Sequence, residues 1–375
     1  MQIRGVPHLT PGLFLKKEEG SLSAWLEQHG VKSCSLFGYG RIALLYGLKL
    51  LDYGRDNNVL LPAYICDITA EPFYELGIQT RFYRVLTNLQ PDITDIKTRI
   101  DRKTKAIMVV NYFGFPQRLD EIQNICKEHG LTLIEDNAHG FLSRKNSQLL
   151  GTFGDIGFSS IWKVLPAPNG AALFVNNEQL IKKSQELSQI EASREDFRQA
   201  IPYKYILSSL LSYLEARYKF PSRYFRNAYN KFSVKEERDV VQDYQRTKAR
   251  ISGLSLKVLH RMNPEEVISR RRANYKFWSD RLGGKRGVTV IFKDLAEGVC
   301  PQLFPIIADD VDGLAEKLLS KGIYVDHWPW LPREVEDNRE YATANSITEH
   351  LLVLPVHQNT DPHHLEKATR GLNLP

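Results

Sequence analysis

Residues 131–163 read LTLIEDNAHGFLSRKNSQLLGTFGDIGFSSIWK, and this stretch decides the fold. A short apolar run ends on Glu135 and Asp136, a polar, glycine-containing loop follows, and a second run from Ile156 to Ile161 leads straight to Lys163. Short apolar runs bounded by turn residues are the pattern of buried strands. The same pattern continues on both sides, with strands expected at Asn58–Pro62, Thr80–Val85, Ala106–Tyr112, Leu131–Asp136, Ile156–Ile161 and Ala171–Val175. Helical periodicity lies between them at Arg41–Leu51, Asp67–Leu76 and Leu119–Glu128, the last closing on Gly130 as a helix C-terminus should. Strands alternating with helices imply an α/β fold with a mostly parallel central sheet. In such sheets ligands bind beyond the carboxyl ends of the strands, so polar residues there are the candidates for chemistry.

Beyond Asn177 the pattern changes. From about Glu178 to Leu282 the chain is expected to be helical, aromatic and basic, with YKYILSSLLSYLEARYKF (203–220) as a mixed apolar and cationic piece: a lid, a subunit surface, a membrane-surface helix or a packed connector. Strand signals return at Val288–Phe292, Gln302–Ile307, Ile323–His327 and Leu351–Pro355, with helices at Val311–Leu319 and Pro362–Leu372, the outline of a small C-terminal α+β domain. The expected division is a large domain over 1–245, including a connector over 178–245, and a small one over 246–375.

At 375 residues, 42% hydrophobic and 25% charged, the chain can bury a substantial core. No apolar run reaches the roughly 20 residues of a membrane span, and the N-terminus lacks the pattern of an export signal, so a cytoplasmic location is expected. Cys34, Cys66, Cys126 and Cys300 are widely spaced, which suits reduced thiols and not a metal site. The net charge of +6 carries no motif that reads nucleic acid, and nucleic acid is not an expected partner.

An acidic residue at a strand end also serves as a helix cap or a surface ion pair, and a lysine after a strand is commonly solvated. The pairing of Asp136 with Lys163 at two strand ends calls for more. Pyridoxal 5'-phosphate (PLP) chemistry needs an amine for a Schiff base, a carboxylate on the pyridine nitrogen and donors for a phosphate. Lys163 and Asp136 supply the first two. The glycine-flanked turn Gly38–Tyr39–Gly40–Arg41, opening a helix in LFGYGRIALLYGLKLL (36–51), supplies backbone N–H groups, and Ser160 adds a hydroxyl.

Five motifs in order, FGYGRIAL (37–44), LLPAYIC (60–66), TKAIMVVNYFGFP (104–116), IEDNAHG (134–140) and GDIGFSSIWK (154–163), resemble those of the DegT/DnrJ/EryC1/StrS aminotransferases, sugar aminotransferases of PLP fold type I. The resemblance runs from about Leu36 to Asn177. It implies that Lys163 carries PLP, that Asp136 meets the pyridine nitrogen, that His139 lies near the ring hydroxyl and face, and that Tyr39, Gly40, Arg41 and Ser160 hold the phosphate. It also implies a homodimer with shared active sites, for which KARISGLSLKVL (248–259), with Lys248 and Arg250, is the candidate trans segment, although it lacks the family's usual asparagine.

Where the family commonly places an aromatic residue on the ring face, this chain has Cys66, so Tyr64, Phe113 or His139 is expected to stack instead. The implied reaction moves an amino group, from glutamate, to a keto-sugar linked to a nucleotide, with Arg250 and, in VDHWPWLP (325–332), His327 and Trp328 as candidate substrate contacts beside His357. Two competing expectations stand. One is lyase, dehydratase or desulfurase chemistry on the same scaffold; the family's dehydratases carry histidine in place of the lysine, so Lys163 argues for transfer, while a lysine is compatible with a lyase. The other is a non-catalytic sensor or scaffold protein.

Overall fold

The architecture follows from which strands are apolar on both faces. The computed structural model of the protein describes residues 3–15, 22–192, 203–218 and 250–372. Its larger sheet contains β1 (Cys34–Phe37), β2 (Asn58–Pro62), β3 (Gln79–Tyr83), β4 (Thr104–Val110), β5 (Thr132–Asp136), β8 (Ile156–Ser160) and β9 (Ala171–Val175), with a small hairpin of β6 (Arg144–Lys145) and β7 (Gln148–Leu149) beside it. Spatial order is β1-β9-β8-β5-β4-β2-β3. β2, β5, β8 and β9 are buried along nearly their whole length and β4 is exposed only at Lys105, whereas the edge strands β1 and β3 are partly exposed. Strands covered on both faces read as continuous apolar runs, which is why these five were legible.

From β8 through β5, β4 and β2 to β3 all pairings are parallel. β9 is antiparallel to β8, and β1 to β9. The expected mostly parallel sheet is therefore present with an antiparallel margin. β1 was not foreseen from sequence: its four residues are too few to show a period. The helix Ile93–Arg99 was also missed, a single short segment whose N-cap Asp92 accepts from the Asp95 N–H.

Of the basic connector, the helices Glu178–Ala192 and Tyr203–Tyr218 are described, while Lys248 and the expected boundary at 245/246 fall outside the described residues. The helices Gly253–Arg261 and Pro264–Leu282 lead to a second sheet of β10 (Val288–Val290), β11 (Leu303–Ala308) and β12 (Leu351–Pro355), antiparallel throughout. The helix Ala342–His350, also unforeseen, precedes β12. One correction concerns Ile323–His327, expected as a strand. Among the described residues it makes only single bridges, Ile323 to Ile3 and Asp326 to Val353, because its backbone bonds are divided between two neighbours, the Ile3 segment on one side and the edge of β12 on the other, and neither pairing continues into a ladder.

The packing that positions the site is the helix Gly40–Leu51, laid across β8 and β9 and buried on most of its surface. Gly47 lies close to the sheet: a Cβ there would stand 2.9 Å from Ile156 Cδ1 and 3.1 Å from Leu173 Cδ1, so a larger residue would push these side chains aside.

Candidate active site

Four neighbouring strands end at one edge, and each delivers its residues there: Tyr64 beyond β2, Tyr112 and Phe113 beyond β4, Asp136 at the end of β5, and Lys163 in the single turn after β8. The ladder is continued past the strand ends by Asn111 N–H donating to the Asp136 carbonyl (2.9 Å) and Asn137 N–H to that of Phe158 (2.8 Å). These bonds fix the spacing of the loops.

Asp136 is buried and its Oδ1 accepts from the Ala138 N–H at 2.9 Å. Burial pushes its carboxyl up to about 6, opposed by that hydrogen bond and by the nearby charge of Lys163. Lys163 is half-buried; desolvation lowers its ammonium pKa, while Cys66 and Asp136 act in the opposite sense. The two sequence-predicted residues are thus brought into each other's field. Cys66, set opposite Lys163, has its thiol pushed up to about 12 by burial, which keeps it a neutral, small wall.

His139 is buried, and its Nδ1 accepts the Phe113 N–H at 3.3 Å, so the proton of the neutral ring sits on Nε2. Burial, then Lys163, holds its pKa well below the ordinary histidine value. The Phe113 ring stacks on it at 5.4 Å and 26°, and Trp328 meets it edge-on at 4.7 Å and 68°. Phe113 adopts φ 54, a left-handed conformation that costs a bulky residue energy and is held by its bonds to His139 and from the Gln302 N–H.

Tyr64 is turned into the core: its Oη donates to the Trp328 carbonyl and its own carbonyl accepts from Tyr112 Oη. Trp328 is thereby tied to the strand-end cluster and packs against Tyr64, Tyr112, Phe113 and His139. His327 and Arg250 are left exposed; the Arg250 carbonyl accepts from Asn169 Nδ2. His357 is buried away from the cluster, its Nε2 against the Arg4 carbonyl at 2.8 Å.

The turn Gly38–Arg41 lies over the end of β8. A Cβ on Gly40 would stand 2.7 Å from Ser160 Oγ, so the glycine keeps open a niche between the Ser160 hydroxyl and the first turn of the helix. Tyr39 is the N-cap in extended conformation, and its carbonyl takes the N–H groups of Ile42 and Ala43, leaving those of Gly40 and Arg41 outside the helical ladder. Arg41 reaches Glu71 at 3.5 Å. A helix start, a hydroxyl and an absent side chain make a niche fitted to a phosphate, and a buried carboxylate and a desolvated amine one strand apart fit the ring and aldehyde of PLP.

The sequence pattern of the DegT/DnrJ/EryC1/StrS aminotransferase family matches residues 10–211, more than half of the chain. The chain belongs to this family. Among curated relatives, it is 26% identical over 204 residues to a GDP-perosamine synthase of Vibrio cholerae, covering 53% of this chain and 55% of that one. It is 31% identical over 142 residues to a GDP-4-keto-6-deoxy-D-mannose 3-dehydratase of Yersinia pseudotuberculosis, covering 37% and 36%. The chain thus spans about half, or less, of the length of these relatives. A solved aminotransferase of Helicobacter pylori, involved in the biosynthesis of pseudoaminic acid, superposes with a TM-score of 0.72 at 15% identity over 99% of this chain and 98% of that one, a likeness of fold.

Reading the sequence missed two contributors and the task of a third. Asn137 holds the loop after β5 through its Nδ2, donating to the carbonyls of Gly140 (2.9 Å) and Leu150 (2.7 Å). Glu135, read as a cap or ion pair, is a fully buried carboxylate accepting from Asn111 Nδ2 and from the N–H groups of Gly151, Phe153 and Gly154. Arg271 belongs to a run of three arginines that looks like solvated surface, yet it is wholly buried. No local pattern separates it from Arg270 and Arg272; only helical phase against the core could have.

Proposed function

We propose that the chain is a PLP-dependent aminotransferase that takes an amino group from glutamate and passes it to a keto-sugar carried on a nucleotide. The observation that carries this reading is the juxtaposition of a desolvated Lys163 with a buried Asp136 at adjacent strand ends, beside the Gly40–Ser160 niche. When bound, the cofactor supplies an electron sink conjugated to the carbon that bears the amino group.

Lys163 is the amine that joins the cofactor aldehyde. A lowered pKa leaves more of it as free amine near neutral pH, able to attack as a nucleophile and to carry a proton to and from the reacting carbon once displaced. Asp136, when ionised, holds a proton on the pyridine nitrogen through a charge-assisted hydrogen bond. His139, neutral and fixed by the Phe113 N–H, presents Nε2–H and a ring face to the site. Ser160 and the N–H groups of Gly40 and Arg41 take the phosphate. Trp328, anchored through its carbonyl by Tyr64, walls the side from which an acceptor enters, and exposed His327 stands at that entrance.

Relatives of the chain include nucleotide-sugar enzymes of both transfer and dehydration chemistry; a lysine at 163 favours transfer, since it returns the proton that a transamination requires. On this reading the protein works in the cytoplasm as a homodimer with shared sites, residues 1–245 forming the cofactor-binding domain and 246–375 the smaller one. The test is the absorbance of the protein with PLP, wild type and Lys163→Ala, before and after glutamate. A band that needs Lys163 and is bleached by glutamate supports the reading. A Lys163-dependent band indifferent to glutamate replaces the donor or the reaction, and no band at all overturns it.

A further inference from the structure

Arg271 lies on the helix Pro264–Leu282, which spans from the large sheet to the small one, and none of its surface reaches solvent. Among the described residues it meets no carboxylate. Its guanidinium instead donates to four neutral acceptors: Nη2 to the Val164 carbonyl (2.6 Å), Nη1 to the carbonyls of Pro301 (3.1 Å) and Gln302 (3.0 Å), and Nε to Gln358 Oε1 (3.0 Å). Gln358 closes the figure, its Nε2 donating to the same Val164 carbonyl at 3.1 Å. Burying a guanidinium on carbonyls alone is costly, and a network that engages all three of its nitrogens rigidifies what it holds.

What it holds is specific. Val164 directly follows Lys163 and ends the single turn that carries it. The segment on the other arm, 300–302, is bonded to the opposite wall: the Gln302 N–H donates to the Phe113 carbonyl (2.9 Å), and the Cys300 N–H to Ser143 Oγ (2.9 Å). Phe113 in turn supports and stacks on His139. One side chain therefore spans from the lysine turn to the wall that orients His139. The helix does not need it for docking, since Asn274 Nδ2 donates to the carbonyls of Val356, His357 and Thr360, and Trp278 Nε1 to that of Pro355.

We propose that Arg271, supported by Gln358, is a positioning residue that locks the Lys163 turn at a fixed setting relative to Phe113 and His139. The role rests on Lys163 being the cofactor lysine. Lysine can replace it only in part, because an ammonium is a point charge without the planar fork that reaches acceptors on both sides at once.

The experiment treats wild type, Arg271→Lys, Arg271→Met, Gln358→Leu and Lys163→Ala with PLP and borohydride and locates the reduced label on individual lysines by peptide mass, with the thermal midpoint measured in parallel without cofactor. Wild type should carry the label at Lys163. In Arg271→Met the rate of labelling at Lys163 should fall about tenfold against the other lysines of the same molecule, and amino transfer from glutamate about 100-fold, the loss expected of a misplacement near 1 Å. Arg271→Lys should recover part of the labelling, and Gln358→Leu should show a smaller loss in the same direction. The other lysines serve as internal reference, so a loss confined to Lys163 in a protein that still melts cooperatively is not general destabilisation. If Arg271→Met does not fold, Arg271→Lys and Gln358→Leu decide. Wild-type selectivity for Lys163 in the folded variants overturns the positioning role and leaves the cofactor assignment standing. Absence of label at Lys163 in wild type overturns the cofactor assignment, and the positioning role with it.

Discussion

Two residues of the site invite tests that need no knowledge of the substrate. Gly40 is held to hydrogen at Cα by the Ser160 hydroxyl, 2.7 Å from where a Cβ would be. Gly40→Ala should weaken PLP binding at least tenfold, the worth of one hydrogen bond to a charged group, while leaving the melting temperature little changed, because alanine is also the better helix former. Titration of apoprotein followed by fluorescence checks this. Asp136 sets a pH dependence. Its carboxyl is raised to about 6, so it is ionised above that pH and protonated below. The ionised form is the one that grips a protonated pyridine nitrogen, so affinity should drop about tenfold between pH 7 and pH 5, and Asp136→Asn should remove this part of the slope. For the cofactor-free protein the sign is reversed: a raised acid costs stability above pH 6, and that cost fades as pH falls toward the ordinary carboxylate value.

At the scale of elements, the loop between the β6–β7 hairpin and β8 owes its shape to one carboxylate. Glu135 Oε1 accepts from Phe153 N–H (2.5 Å) and Gly154 N–H (2.7 Å), and Oε2 from Gly151 N–H (2.9 Å) and Asn111 Nδ2 (3.1 Å). All four partners are donors, so an amide would turn its own N–H₂ toward two of them. Glu135→Gln should lower stability by about 3 kcal/mol, read from urea unfolding, although it conserves size and shape. Sequence reasoning found Glu135 but not its task, because a strand-end acid looks the same whether it caps a helix or gathers a loop. The same limit applies more widely. β2, β5, β8 and β9 were legible to within a residue because both of their faces are covered; β1 was invisible because four half-exposed residues carry no period. Asp136, Lys163, Gly40 and Ser160 could be singled out as candidates because motif order fixes them along the chain. Arg271 could not, since its importance lies in what a helix brings it against.

Over the whole molecule, one connection in the large sheet governs when the glycine turn is tied down. β1 enters antiparallel to β9, with Cys34 opposite Phe174 and Phe37 opposite Ala171, and the Gly170 N–H bonds to the Gly38 carbonyl at the mouth of the niche. Chains emerge from the ribosome N-terminus first, and contacts between distant stretches close late. β1 is thus made early but has no partner in the sheet until translation has passed Val175. An unfinished chain stopping before Ala171 would carry Gly40, Ser160 and Lys163 and still lack the strand that ties β1 into the sheet, so the glycine turn is held in place only once the sheet is complete.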